Sequence, residues 1–281
     1  MRKRILISLI FIPVLGIVIY APFLHGLLFF LFVLLVSALA SLEVYTLSKP
    51  LGIVQPGKTG RTGIRAWFVV PPLLLLFTAY TIRFVNSSHS AMLVYTGLAI
   101  PPTMWILSCI SWKPAPGTRA ASLLAASYVY CGVCPLLLFL LQVEERGFLY
   151  VYFLLIAAWV NDAAAFFVGT FFGRTRGIVK YSPNKSLEGY LGAFFATMIA
   201  VNGFKLLIGD GFPPDLLLTN ALGLCVAITA PLGDLGESIF KRRAGVKDSS
   251  GIIPGMGGVL DVFDSVLVSV PIFFVLVKIL V

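Results

Sequence analysis

The residues able to do chemistry crowd into GDLGESIFKRRAGVKDSSGIIPGMGGVLDVFDS, near the end of an otherwise apolar chain. Asp234, Glu237, Ser238 and Lys241 stand at offsets of 0, 3, 4 and 7, one stripe of a helix turning about 100° per residue. Asp261, Asp264 and Ser265 repeat that spacing on the last apolar segment, and the connection 237–258 brings both stripes to one membrane face. Hard carboxylate oxygens without histidine or thiolate suit Mg²⁺, which proteins bind through one or two carboxylates plus substrate phosphates. Asp234 and Asp261 lead as metal ligands, with Glu237 beside them. Asp264 and Asp248 act through water or as partners of nearby cations. Lys241, Arg242 and Lys247 offer phosphate oxygens point charges and a guanidinium fork, and Ser238 adds a hydroxyl. Gly257 and Gly258 let backbone N–H groups approach an anion where the last helix begins. The pattern implies phosphoryl or nucleotidyl transfer at a membrane surface. Each part alone has a plainer reading, as a basic loop, a turn, or the carboxylates of a cation transporter.

A second polar island, WVNDAAAFFVGTFFGRTRGIVKYSPNKSLEGYLG, lies upstream. Asp162 interrupts an apolar helix and shares a face with Gly169, which with Gly173 makes a small-residue contact suited to close helix packing. Ser182, Lys185, Ser186, Glu188 and Gly189 follow, donors and acceptors for a nucleotide.

These residues must be carried by membrane helices. The chain has 281 residues, 59% hydrophobic and 12% charged, with mean hydropathy +0.98, far from the roughly 25% charge of soluble domains. The expected fold is an all-α integral membrane bundle of about nine transmembrane helices, each needing about 20 apolar residues. The spans fall near 5–24, 26–47, 66–86, 91–112, 120–142, 149–172, 188–208, 215–236 and 259–280. The first keeps a charged start and no clear cleavage site, so it reads as a retained helix. With the N-terminus in the cytoplasm, every Lys and Arg of the 21 falls inside except Arg83, Arg146, Lys205 and Lys278. The chain reads as a single membrane domain, 1–281. Residues 1–148 form a scaffold of five spans, and 149–281 hold four spans and two cytoplasmic loops with the site. Cys131 and Cys134 lack a second pair or a nearby histidine and read as small helix residues. No nucleic-acid motif accompanies the +9 charge.

The stretch from Ser238 resembles the signature of the phosphatidate cytidylyltransferases, the CDP-diacylglycerol synthases. Ser238, Lys241, Arg242, Lys247, Asp248, Pro254, Gly255, Gly257, Gly258, Asp261 and Asp264 match at that family's spacing. ND, FGRTRG and SPNKSLEG resemble its second block, and Glu43 resembles a family acid in the second span. Met256 and Val262 stand where the family usually has histidine and arginine. The resemblance implies CTP and phosphatidate as substrates, CDP-diacylglycerol and pyrophosphate as products, Mg²⁺ as cofactor, and a site facing the cytoplasm from the plasma (inner) membrane. A homodimer and a second, monovalent cation are further options. The alternatives are a related cytidylyltransferase or lipid kinase acting on another lipid, or a cation-coupled transporter.

Overall fold

A computed structural model describes residues 13–20, 26–51, 61–84, 118–178, 182–209, 212 and 215–280. Helices carry most of the described residues, and the only β pairings among them are two isolated bridges, Arg176 to Ser186 and Ile253 to Gly257. After a helical stretch at 13–20 (α1) come α2 (Leu27–Ser48), α3 (Arg61–Phe84), α4 (Thr118–Tyr128) and α5 (Cys134–Gln142). Then follow α6 (Gly147–Phe172), α7 (Leu187–Ile208), α8 (Leu216–Arg243) and α9 (Val259–Leu280). A π turn at Val129–Val133 joins α4 to α5, so Leu123–Gln142 reads as one apolar rod.

Six described helices are long and apolar enough to cross a membrane, and the protein is a multi-pass membrane protein. Against the expected nine, the span at 91–112 and most of the first lie outside the described residues. The third appears within α3 as a shorter apolar stretch, Phe68–Thr81.

The helix carrying Asp234 is longer than its apolar run. It continues past 236 to Arg243, because Glu237 and Lys241 pair at i, i+4 and the last-turn cations Lys241, Arg242 and Arg243 suit the negative helix end. It stops at Ala244, before Gly245 at φ 74°.

Packing sets the site. α6 lies along α7, and α9 along α8, with α8 also against α6 and α7. The α8–α9 approach is close enough that a Cβ on Gly233 would fall 2.5 Å from the Asp264 carbonyl oxygen. One buried core runs through Phe29, Phe139, Phe153, Leu222, Val266 and Phe273, and a smaller one joins Val44, Tyr45 and Phe68 to Leu260. α7 is peripheral, with Leu191, Phe195, Ile199 and Leu206 exposed as a lipid-compatible face.

Candidate active site

The C-terminal ends of α6 and α8 and the N-terminal ends of α7 and α9 meet on one side of the bundle. Asp162 sits ten residues before the end of α6, roughly 15 Å below it at helical rise, so this polar cluster lies within the helical layer. A cleft of about 450 Å³ opens there, lined among others by Asn161, Asp162, Arg176, Lys185, Gly189 and Asp234.

Tight packing makes the cleft wall. Ser186 caps α7 by accepting from the Gly189 N–H at 3.1 Å, with Glu188 in the first turn. A Cβ on Gly189 would lie 2.9 Å from the Ala165 carbonyl oxygen, and one on Gly173 2.6 Å from Ser186 Oγ. The Gly169–Gly173 contact expected from spacing is therefore made with the start of α7. The loop is braced by Glu188, which accepts from the Thr175 N–H at 3.1 Å and from its hydroxyl at 2.9 Å. Glu188 was expected to shape the nucleotide side, but it does not line the cleft. Its partners on Thr175 turn it into the support for that loop. Ser182 also lies outside the lining, its carbonyl accepting from the Lys185 N–H.

Two lysines organise the carboxylates. Lys185 Nζ stands 2.5 Å from Asp234 Oδ2, and Ser238 donates to Asp234 Oδ1 at 3.3 Å. Burial pulls the Lys185 ammonium down, but the Asp234 carboxylate outweighs it, so its pKa stands above the ordinary lysine value. Lys241 donates to both Glu237, at 3.1 Å, and Asp261. Asp162 accepts from the Ser265 hydroxyl at 3.0 Å, and Asp162, Asp234 and Asp264 lie close enough to feel one another's charge. Glu237 adjoins Asp264. The two stripes thus meet, but Asp261 and Asp264 do not act together. Three residues of helix turn them about 60° apart, sending Asp261 to Lys241 and Asp264 towards Glu237 and Ser265.

The glycine turn departs from expectation more sharply. Gly257, at φ 100°, forms the turn only a glycine adopts readily. The N–H groups at the start of α9, expected to meet a substrate anion, are taken by the protein's own carboxylates. Asp261 accepts from the Gly258 N–H at 2.7 Å, half of a capping box. Glu43 accepts from the Val259 and Leu260 N–H groups at 2.9 and 2.8 Å. An internal anion satisfies these donors as well as a ligand would. Arg242 donates to the Val246 carbonyl, and Lys247 and Asp248 are exposed beyond the cleft lining. Val262 packs against the main core.

Residues outside the expected set also contribute. Arg176, Asn184 and Tyr190 line the cleft. Ser249 donates to Asp261 from its hydroxyl at 2.7 Å and its N–H at 2.8 Å. The sequence offered a faint sign of it, a Ser-Ser pair between the basic run and the glycine turn.

On the other face of α8 lies an apolar cavity of about 700 Å³, lined by Tyr130, Phe240, Leu260, Leu267 and Pro271 with Glu237 at its polar end.

Residues 2–280 match the profile of the Cytidylyltransferase family. Over 250 residues the chain is 29% identical to a phosphatidate cytidylyltransferase of Bacillus subtilis, spanning 87% of this chain and 88% of that relative. It is 40% identical over 134 residues to the Thermotoga maritima protein of that name, spanning 45% of this chain and 48% of the relative. A Haemophilus influenzae phosphatidate cytidylyltransferase is 40% identical over 130 residues, 46% of this chain and 45% of the relative. The chain thus spans about half the length of the latter two and most of the first.

Proposed function

The chain belongs to the cytidylyltransferase family, and we propose that it joins CTP to phosphatidate, forming CDP-diacylglycerol and pyrophosphate, at the cytoplasmic face of the inner membrane. A phosphate oxygen of the lipid attacks the α-phosphorus of CTP. The bond from that phosphorus to the bridging oxygen breaks, and pyrophosphate leaves with the electron pair. The nucleophile is already an anion, so no side chain need take its proton, and catalysis rests on alignment and charge neutralisation.

The observation that carries this reading is the paired arrangement of Lys185 on Asp234 and Lys241 on Asp261 and Glu237, beside a cleft of nucleotide scale. Lys185 and Arg176 in the cleft wall offer charge to a triphosphate. Asp162 and Asn161 close its inner end, with Ser186 and Gly189 allowing close approach at the start of α7. The acyl chains occupy the apolar cavity across α8, with the lipid phosphate at its polar end where Glu237 meets Lys241.

The donor set fits Mg²⁺ shared with phosphates. Lys185 lies against Asp234 and, separately, Lys241 against Asp261, so each carboxylate already faces a cation that a metal ion would join or displace. Among the described residues no three His, Cys, Asp or Glu side chains gather as a metal cage, so a bound divalent ion would have to take most of its shell from substrate and water. Asp234 and Asp261 would hold it, with Glu237 nearby. The ion would supply charge neutralisation on the triphosphate and the departing pyrophosphate.

The test follows product and co-product together in bilayer nanodiscs. The reading expects stoichiometric pyrophosphate and CDP-diacylglycerol, needing both CTP and phosphatidate. Phosphorylated lipid formed from diacylglycerol, with a nucleoside diphosphate as co-product, would instead assign a lipid kinase.

A further inference from the structure

We infer that Glu43, on α2 in the half of the chain otherwise read as scaffold, is a positioning residue that holds Asp261 in register. Its side chain sits in the protein interior, 2% exposed, and both oxygens are occupied. Oε1 accepts from the Ser250 hydroxyl at 2.6 Å and the Val259 N–H at 2.9 Å. Oε2 accepts from the Leu260 N–H at 2.8 Å and faces the Ser249 hydroxyl at 3.0 Å. One carboxylate therefore ties both ends of the loop 249–260 to α2.

The tie reaches Asp261 by one further atom. Ser249 Oγ lies between the two acids, 3.0 Å from Glu43 and 2.7 Å from Asp261 Oδ2. The Gly258 N–H, on the same Asp261 oxygen, comes from a residue whose Cβ would lie 2.4 Å from Glu43 Oε1. Asp261 Oδ2 is thus held by the loop that Glu43 clamps, leaving Oδ1 turned to Lys241. Buried polar groups need hydrogen-bond partners, and this one carboxylate accepts from the Val259 and Leu260 N–H groups and the Ser250 hydroxyl, with Ser249 Oγ against it as well. The inference rests on the cytidylyltransferase reading for what Asp261 then does.

Glu43→Gln puts an amide N–H₂ against backbone donors while preserving shape. Two readouts on the full-length protein in nanodiscs test it: amide exchange of the 249–261 segment, and turnover per folded molecule. Exchange there is expected to quicken, with kcat down about 100-fold, the scale of a small misplacement of a reacting group, and KM for CTP little changed. Ser249→Ala, which introduces no buried mismatch, is expected to lower kcat in the same direction. Combined with Glu43→Gln it adds little further, as for residues acting through one connection. Unchanged exchange overturns the clamp. Quickened exchange with unchanged turnover makes Glu43 a helix cap alone and overturns the positioning role. Wild-type protein that makes no CDP-diacylglycerol contradicts the reaction instead, and the exchange comparison still decides the clamp. If Glu43→Gln does not fold, additive losses in Ser249→Ala, Asp261→Asn and their combination overturn the shared connection.

Discussion

Lys185 Nζ lies 2.5 Å from Asp234 Oδ2, joining the loop before α7 to the interior stretch of α8. That contact unites the two polar blocks of the sequence in one wall of the cleft. On the proposed reading, Lys185→Met removes a charge-assisted contact to the CTP triphosphate, a kind of contact worth about 1.5–3 kcal/mol. KM for CTP is expected to rise about 10- to 100-fold, with a smaller change in KM for phosphatidate, as measured by steady-state kinetics with each substrate varied.

The same pair sets a pH window. Its raised lysine pKa means that its contribution to stability is complete below the unfolded value near 10.4 and is lost only as pH rises through the higher folded value. The gap in thermal midpoint between wild type and Lys185→Met is therefore expected to stay constant from pH 7 to about 9. A gap that closes within that range in a background that also carries Asp162→Asn would mean the ammonium deprotonates there and the pair is not what holds it, since Asp162 is the other carboxyl that acts on Lys185.

Much of this site was legible in the spacing. Offsets of four placed Asp234 by Ser238 and Glu237 by Lys241, and those contacts are made. Helical periodicity describes neighbours on one helix only. It is silent on Lys185 meeting Asp234, or on Glu43 reaching Ser249, Val259 and Leu260 from α2, because those contacts depend on how helices pack. The glycine turn was misread for a related reason. Its free N–H groups pointed to an anion, but sequence alone does not distinguish a substrate phosphate from a buried side-chain carboxylate. Of the nine expected spans, six fall on described helices long and apolar enough to cross a membrane, and the helical stripe through Lys241 continues past the apolar run because an ion pair supports it.

Gly258 leaves room for nothing larger. A Cβ there would lie 2.0 Å from Ser249 Oγ and 2.4 Å from Glu43 Oε1, whereas at Gly251 it would meet nothing within 4 Å. Gly258→Ala is expected to destabilise by about 1–3 kcal/mol, the usual cost of overpacking, and Gly251→Ala to leave stability nearly unchanged. Thermal unfolding of the two variants in the same detergent compares them directly.

Val262 faces the core rather than the cleft. Val262→Arg is expected to lower the thermal midpoint and yield of folded protein without raising turnover, because a guanidinium in that packing has no partner. Higher activity in this variant would mean that the side chain reaches the site by a rearrangement of α9.

The carboxylate that Lys241, Ser249 and Gly258 converge on is Asp261, and its role is the centre of the account. The most direct measurement is CTP-dependent conversion of phosphatidate to CDP-diacylglycerol with Mg²⁺ supplied or chelated, in wild type and in Asp261→Asn. Wild-type activity that chelation abolishes and Mg²⁺ restores, and that falls at least about 100-fold in the variant, is the predicted result, a loss on the scale of removing a key electrostatic group. Folded Asp261→Asn protein turning over at the wild-type rate would contradict it.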